Sequence, residues 1–172
     1  MKSFPTPALA RLRLRRFTMQ DADCLAELRN VACDAERIAS HDQPFGLGTT
    51  ENFILSTAHD AETDCSISFA IEHLVEVCLM GEVRLNLSDS TLSYWLGAKF
   101  RGKGYMVEAV QRMAAYARRE LHVQAMVADV VRENLASRRV LEQSGFRFQY
   151  IHSNDLHPSL RHVTLLRYKL DL

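Results

Sequence analysis

The 172-residue sequence lacks an excess of charge of either sign, because 21 Lys and Arg residues balance 21 Asp and Glu residues. A protein that binds nucleic acid or an anionic membrane usually carries a basic excess, so we expect neither partner. No apolar run approaches the ~20 residues that a membrane-spanning helix needs, and no signal-like apolar segment follows Met1. These absences predict a cytoplasmic protein.

Cysteine is also scarce, with four residues in the chain: Cys24, Cys33, Cys65 and Cys78. No two of them form a CxxC pair, and none stands at zinc-finger spacing from a pair of histidines. We therefore expect no metal site. Each cysteine lies among apolar neighbours in the sequence, which predicts buried free thiols in a reducing compartment.

No repeat or low-complexity linker divides the chain, and 47% of its residues are hydrophobic. Length and composition therefore predict one domain over residues 1–172 with a substantial core. The periodicity predicts the element order β-α-α-β-β-β-α-β-α-β-β, which is typical of an α/β domain with a mixed sheet.

Three segments carry the clearest local signals. Ala10–Phe17 alternates as a strand, which would place Arg11, Arg13 and Arg15 on a solvated face. Thr18 and Asp21 resemble a capping box with Asp in place of Glu. Leu74–Leu87 predicts one long strand with a bend at Gly81.

The stretch FRGKGYMVEA (residues 100–109) follows a predicted strand, Leu92–Ala98, and precedes an amphipathic helix. A dinucleotide fingerprint fits Gly102 and Gly104 but fails at Val107. A P-loop also matches as far as GxxxxGK, but Gly104 stands where a Ser or Thr must bind Mg²⁺.

The third hypothesis is a metal-free cradle for a pyrophosphate. Backbone N–H groups at a helix start attract anions, glycines allow close approach, and Arg101 and Lys103 add positive charge. A diphosphate without an obligatory metal indicates coenzyme A. A plain strand-to-helix turn without a ligand is the remaining alternative.

Three blocks of the sequence together resemble the GNAT acetyltransferase family, in its RimJ/RimL-type branch that acetylates ribosomal-protein N-termini and related amines. They are LRLRRFTMQDADCLAEL near the N-terminus, SYWLGAKFRGKGYMVEA in the middle and ENLASRRVLEQSGFR (Glu133–Arg147). The resemblance implies a mixed, mostly antiparallel central sheet of about seven strands, about four helices and a splayed cofactor-binding strand.

The resemblance also implies acetyl-CoA as the cofactor and gives its binding residues. Backbone groups of the splayed strand would hold the pantetheine arm, the glycine turn and helix start would hold the pyrophosphate, and the next helix would contact the arm and the adenine end. The residues concerned are Tyr94, Trp95, Leu96, Arg101, Gly102, Lys103, Gly104, Tyr105, Met106, Val107, Asn134, Ser137 and Arg139, with Arg138 as the alternative to Arg139.

The chemistry expected is direct transfer of an acetyl group to a primary amine in a ternary complex, with a backbone N–H near Leu96 serving the oxyanion. Many relatives have a tyrosine as the acid where this chain has Leu141. In the similar branch a serine has that role, and the corresponding residue here is Ser137. We expect Ser137 to donate a hydrogen bond to the thiolate rather than a full proton. The base is Asp155 or Glu82, or a string of waters.

The amine acceptor, a protein N-terminus or a small molecule, is expected between Val31–Phe53 and Ile151–Arg161, and the sequence does not identify it. Two further alternatives remain: a GNAT-fold sensor that binds coenzyme A without turnover, and a P-loop nucleotidase. The chain can be a monomer or a homodimer.

Overall fold

The structure is a computed structural model that describes residues 10–33, 47–153 and 164–172. Seven strands and four helices lie in these ranges, in the order that the sequence predicts. They are β1 (Leu12–Arg15), α1 (Ala22–Cys33), α2 (Leu47–Glu62), β2 (Ser66–His73), β3 (Cys78–Asn86), β4 (Leu92–Leu96), α3 (Tyr105–Glu120), β5 (Ala125–Val131), α4 (Leu135–Gln143), β6 (Arg147–Ser153) and β7 (Thr164–Asp171).

The strands form two antiparallel sheets rather than one. The first has the order β1-β2-β3-β4 and the second has the order β5-β7-β6. One parallel bridge, between Thr91 and Val127, joins them, and the Val127 N–H donates to the Ser90 carbonyl at 3.0 Å. Beyond this bridge β4 and β5 belong to different sheets. The predicted α/β class with a splayed strand is therefore confirmed.

The core lies on both faces of the first sheet. Every residue of β2 from Ser66 to Glu72 is buried, which requires cover on both faces. Helices α1 and α2 contact β3 and β2, and α3 contacts β1, β3 and β4. Helix α3 buries one apolar stripe at helical spacing, which includes Met106, Val110 and Met113.

The predicted capping box is confirmed by the backbone, and two further residues mark the ends of α4. Thr18 and Asp21 form the capping box before α1. Asn134 caps α4, because its side chain accepts the Ser137 N–H. Gly145 follows α4 with a φ of 95°, which is the left-handed position after a helix that favours glycine.

The predicted strand Leu74–Leu87 is wrong at its start. Residues 74–77 form the turn of the β2–β3 hairpin, and β3 begins at Cys78. The irregularity predicted at Gly81 corresponds to a bulge: Ile71 pairs with Gly81 and Glu72 pairs with Leu79. Met80 is therefore left without a partner on β2.

The predicted arginine face beside β1 is confirmed for Arg11 and Arg13, which are exposed, whereas Arg15 is half-buried. Leu12 and Leu14 are buried as expected, but the arginines are engaged with carboxylates. Arg13 and Arg15 both donate to Glu72 on β2, and Arg15 also binds Asp21 with two hydrogen bonds.

The cysteine prediction fails at one position and holds in part at two. Cys24 and Cys78 are half-buried free thiols, whereas Cys65 is exposed. Burial raises the pKa of the Cys24 and Cys78 thiols, with nearby Glu27 and Glu76 adding to the effect. The side chain of Cys33 lies outside the described residues. Among the described helices, none is both long and apolar enough to cross a membrane.

Candidate active site

Strand β4 presents one edge to β3 and leaves the other open. The Gly97 N–H donates to Met80 and the Asn86 N–H donates to Thr91, and the antiparallel register pairs Glu82 with Trp95. Because hydrogen-bonded pairs alternate along an antiparallel ladder, the main chain of Trp95 faces β3. The main chains of Tyr94 and Leu96 therefore face the gap where β5 diverges.

The glycine turn lies directly after this open edge. Gly102 and Gly104 have φ values of 74° and 78°, a left-handed conformation that side chains disfavour. A Cβ at Gly102 would meet nothing within 4 Å, so the turn is open to a ligand on that side.

Backbone N–H groups collect at this turn. In the described part of the chain, no acceptor meets the N–H groups of residues 102–107. The first N–H groups of α3 share the partial positive charge of a helix N-terminus. The arrangement therefore fits an anion of the size of a pyrophosphate.

Arg11, which precedes β1, fixes the turn through contacts with its backbone and with the first residues of α3. Its guanidinium donates to the Lys103 carbonyl at 2.8 Å and to Glu108 at 3.2 Å, and it stacks over the Tyr105 ring at 4.6 Å. The Tyr105 hydroxyl is in turn 3.0 Å from Nε2 of His73. Carbonyl, carboxylate and ring thus hold one guanidinium, which fixes the conformation of the turn.

The two cations predicted to neutralise the pyrophosphate differ in their surroundings. The Arg101 side chain folds back, and its Nε donates to the Leu96 carbonyl at 2.9 Å. Lys103 is exposed. The Arg101 side chain thus closes the end of the β4 edge as well as adding charge beside the turn.

Across the gap, Ser137 and Asn134 stand in the first turn of α4. The Asn134 Oδ1 accepts the Ser137 N–H at 3.0 Å. The Ser137 Oγ lies 2.9 Å from the Tyr94 phenol oxygen, which is also 3.2 Å from the Ser137 carbonyl oxygen. Burial, partly offset by the Ser137 hydrogen bond, raises the pKa of Tyr94 to about 12.

The two arginines predicted for the adenine end differ. Arg138 is occupied, since it donates to the Arg132 carbonyl at 3.2 Å and to the Tyr168 hydroxyl at 3.4 Å. Arg139 is exposed. The exposed side chain of Arg139 is therefore better placed to contact a ligand than the side chain of Arg138, which is already hydrogen-bonded.

Glu82, one candidate base, is buried on β3 beside the open strand. Its Oε2 accepts from Arg29 and from the Trp95 indole, both at 2.9 Å. Among the described residues no donor meets its Oε1. The guanidinium and the indole therefore both hold the same oxygen of this carboxyl group.

The other candidate base, Asp155, lies outside the described residues. His152, which stands near it in the sequence, is engaged on the second sheet, with its Nε2 3.0 Å from Asp129. Arg167 also binds Asp129. Asp129 is half-buried, which works to raise its pKa, but Arg167 and His152 outweigh this burial and lower the pKa.

The surroundings of the turn exclude two of the sequence hypotheses. β4 is antiparallel to β3 and meets β5 at a single bridge within the described ranges. The open parallel sheet that carries a dinucleotide fingerprint or a P-loop is therefore not formed there. A gap between two splayed strands with a helix N-terminus at its end defines instead a site for an extended ligand with an anionic centre.

The family model described as "Acetyltransferase (GNAT) domain" matches residues 11–147. The chain therefore belongs to the GNAT acetyltransferase family. A segment of 70 residues is 40% identical to the probable N-acetyltransferase YjcK of Bacillus subtilis (strain 168). That match spans 41% of this chain and 39% of YjcK, so it covers less than half of that relative.

Two solved structures share the fold. RimL, a ribosomal alpha-N-protein acetyltransferase in complex with coenzyme A, is 19% identical with a TM-score of 0.82, over 99% of this chain and 98% of RimL. MccE, a microcin self-immunity acetyltransferase in complex with acetyl-CoA and AMP, is 19% identical with a TM-score of 0.81, over 94% of this chain and 93% of MccE.

Sequence reasoning did not find three of the side chains that shape this site. The Tyr94 phenol reaches Ser137 across 43 positions, Arg11 reaches Glu108 across 97, and Arg29 reaches Glu82 across 53. An isolated arginine or tyrosine gives no signal of a partner so distant in the chain. The alternation of β4 alone could have indicated that the Tyr94 side chain leaves the sheet on the opposite face from Trp95.

Proposed function

We propose that this chain transfers an acetyl group from acetyl-CoA to a primary amine, by direct transfer in a ternary complex. One observation carries the proposal: the open edge of β4 leads directly into a turn whose N–H groups have no acceptor among the described residues. An open strand edge followed by such a turn suits a ligand that joins an amide-containing arm to a pyrophosphate.

The residues fit this ligand in order along the gap. The main-chain groups of Tyr94 would bind the pantetheine arm, with the Leu96 N–H left for the acyl oxygen, and Asn134 would bind the arm from the other side through its amide nitrogen. The turn Gly102–Gly104 and the first residues of α3 would bind the pyrophosphate, with Arg139 nearer the adenine. When bound, acetyl-CoA supplies an activated thioester as the acyl donor.

Groups of the chain itself then have separate roles in acyl transfer. The Leu96 N–H, at the open edge, donates to the oxygen that gains negative charge. Ser137 donates a hydrogen bond to the departing sulfur. Glu82, through the Oε1 atom, and Asp155 remain the two proposals for the group that takes the proton of the amine.

The proposal also covers the chemical class of the amine that accepts the acetyl group. RimL is named for acetylating a ribosomal protein and MccE for self-immunity to a microcin, so peptide N-termini and small-molecule amines both enter the acceptor panel. The buried carboxylate of Glu82 favours a cationic amine over a neutral nucleophile. We further propose a cytoplasmic location and a monomer or homodimer.

Ligand-induced stabilisation tests the donor. Acetyl-CoA at a hundred times its Kd adds roughly 2.7 kcal/mol, which raises the Tm by about 5–10 °C for a chain of this size. Gly104→Glu places a negative side chain in the turn and should abolish this rise.

Gly145→Glu is the matched control for that variant. Gly104 and Gly145 both have positive φ, and a Cβ at either meets its nearest side-chain atom at 3.4 Å. Both variants should lower the Tm without ligand, but only Gly145→Glu should keep the acetyl-CoA rise. A rise retained by Gly104→Glu would overturn the pyrophosphate assignment.

Release of free thiol from acetyl-CoA tests turnover, with a panel of peptides of differing first residue, polyamines, amino sugars and amino acids. Thiol release with one of these amine classes supports the proposed transfer. A Tm rise with acetyl-CoA but no release with any amine would favour a binding module without turnover.

A further inference from the structure

The hydroxyl pair formed by Tyr94 and Ser137 joins the two sides of the gap. Tyr94 stands on β4 and Ser137 on α4, and their oxygens are 2.9 Å apart. The phenol also lies within reach of a second acceptor, the Ser137 carbonyl oxygen, at 3.2 Å. One phenolic O–H thus faces two acceptors of the same residue.

Two proton arrangements are therefore available without movement of any heavy atom. In the first, Tyr94 donates to the carbonyl and Ser137 donates to the phenol oxygen, so that both protons are used internally. In the second, Tyr94 donates to the Ser137 Oγ, and the serine proton points elsewhere. Rotation of two O–H bonds converts one arrangement into the other.

The phenol cannot lose its proton at ordinary pH, because burial raises the pKa of Tyr94 to about 12. It is therefore a permanent donor. A serine hydroxyl that accepts a hydrogen bond becomes a better donor in its own right, because consecutive hydrogen bonds polarise one another. Tyr94 can strengthen Ser137 without giving up a proton.

We propose that Tyr94 is a positioning residue that turns the Ser137 hydroxyl toward the departing sulfur. This inference rests on the proposed function. As the carbon–sulfur bond breaks, its electron pair stays on sulfur, the Ser137 O–H swings to donate to it, and Tyr94 swings from the carbonyl to the Ser137 Oγ. The base takes the proton lost by the amine and passes it to solvent, and the sulfur finally takes a proton from solvent.

Coenzyme A itself is the probe for a readout that does not depend on turnover. Its free thiol ionises near the ~8.5 typical of thiols, whereas acetyl-CoA carries no ionisable sulfur. We expect the affinity for coenzyme A, relative to acetyl-CoA, to rise about tenfold between pH 7 and pH 9.5, the gain expected of one hydrogen bond to a charged group. In Tyr94→Phe and in Ser137→Ala the ratio should stay nearly flat.

A double-mutant cycle on kcat separates positioning from a structural role. Tyr94→Phe and Ser137→Ala should each lower kcat about tenfold with little change in the KM for acetyl-CoA, and the double variant should be no worse than Ser137→Ala. Additive losses would overturn the proposal. A larger loss in Tyr94→Phe than in Ser137→Ala would overturn it too, because the phenol itself would then face the sulfur.

Tyr168→Phe is the matched control. Its hydroxyl also ties a strand to α4, by donating to Glu142 at 2.9 Å, but it does not touch Ser137. It should lower the Tm and leave both kcat and the pH dependence of the affinity ratio unchanged. Failure of the wild-type chain to transfer acetyl would defeat the proposed function, and the affinity ratio would still test the pair.

Discussion

Val77 has a backbone conformation that its side chain disfavours. It lies in the hairpin turn between β2 and β3 with a φ of 48°, and its side chain is exposed to 68%. A β-branched residue in the left-handed region costs roughly 1–2 kcal/mol. The exposed side chain gains little packing in return, so the turn stores strain at one residue.

Val77→Gly should therefore stabilise the protein. Relief of strain exceeds the cost of a more flexible unfolded chain, and we expect a net gain of about 0.5–1 kcal/mol, or a Tm higher by about 1–4 °C. Val75→Gly is the control, because Val75 is 85% exposed in the same turn without a positive φ. It should destabilise, and equal Tm changes in the two variants would show that Val77 is not strained.

The same turn explains one limit of prediction from the sequence. Leu74–Val77 contains no Gly, Pro, Asn or Asp, the residues that usually mark a turn, and its apolar side chains continue the alternation of the flanking strands. The periodicity therefore predicts that the long strand Leu74–Leu87 begins at Leu74, within the turn. Only the pairing of β2 with β3 reveals the turn, and pairing is not visible in local sequence.

At the scale of elements, the parts that could be predicted depend on local chemistry. Thr18 with Asp21, Asn134 and Gly145 mark helix ends through contacts within a few residues, and the short apolar run Ala125–Val131 coincides with β5. The carboxylate partners of Arg11 and Arg15 could not be predicted, because they lie on other elements. Charge alternation predicts the exposed face but not the groups that its arginines bind.

Arg11, which directly precedes β1, supports the start of α3. It holds the Lys103 carbonyl and pairs with Glu108, which also accepts from Arg112 at 3.2 Å. The Arg11–Glu108 pair is partly exposed, with side-chain exposures of 49% and 21%. It therefore contributes little to global stability, but it fixes the shape of the turn that receives the pyrophosphate.

Arg11→Ala should weaken acetyl-CoA binding about five- to tenfold, the effect of losing roughly 1–1.4 kcal/mol of preorganisation, with kcat unchanged. Isothermal titration and the KM for acetyl-CoA measure this. Arg13→Ala removes a neighbouring arginine that binds Glu72 instead, and it should leave the cofactor affinity unchanged. Similar losses of affinity in both variants would contradict the assignment of Arg11 to the turn.

The molecule as a whole is electrically balanced, with a formal net charge of zero near neutral pH. Each sheet nevertheless has a buried or half-buried carboxylate that joins elements distant in the chain. On the first sheet Glu72 receives Arg13 and Arg15 from β1, and Asp21 binds Arg15. On the second, Asp129 of β5 receives Arg167 of β7 and His152 of β6.

These carboxylates should make the folding stability depend on pH in the acid range. Burial works to raise the pKa of Asp21 and of Glu72, but hydrogen bonds from the arginines outweigh burial and lower both values, as they do for Asp129. A carboxylate with a lowered pKa in the folded state stabilises the fold above its unfolded pKa, near 4, and loses that contribution as pH falls through the lower, folded value. We expect a nearly constant Tm from pH 7 to about 5, then a steep decrease toward pH 3.

Glu72→Gln tests how much of this decrease belongs to one group. The amide leaves two guanidinium groups facing a neutral partner, which should cost roughly 2–3 kcal/mol at pH 7. Because the introduced amide does not ionise, the variant should also lose stability less steeply below pH 5, so that its Tm approaches that of the wild type near pH 3. Glu51→Gln, at an exposed position on α2, should follow the wild-type curve throughout. Parallel curves for Glu72→Gln and the wild type would show that protonation of Glu72 does not contribute to acid unfolding, whatever its ion pairs contribute at neutral pH.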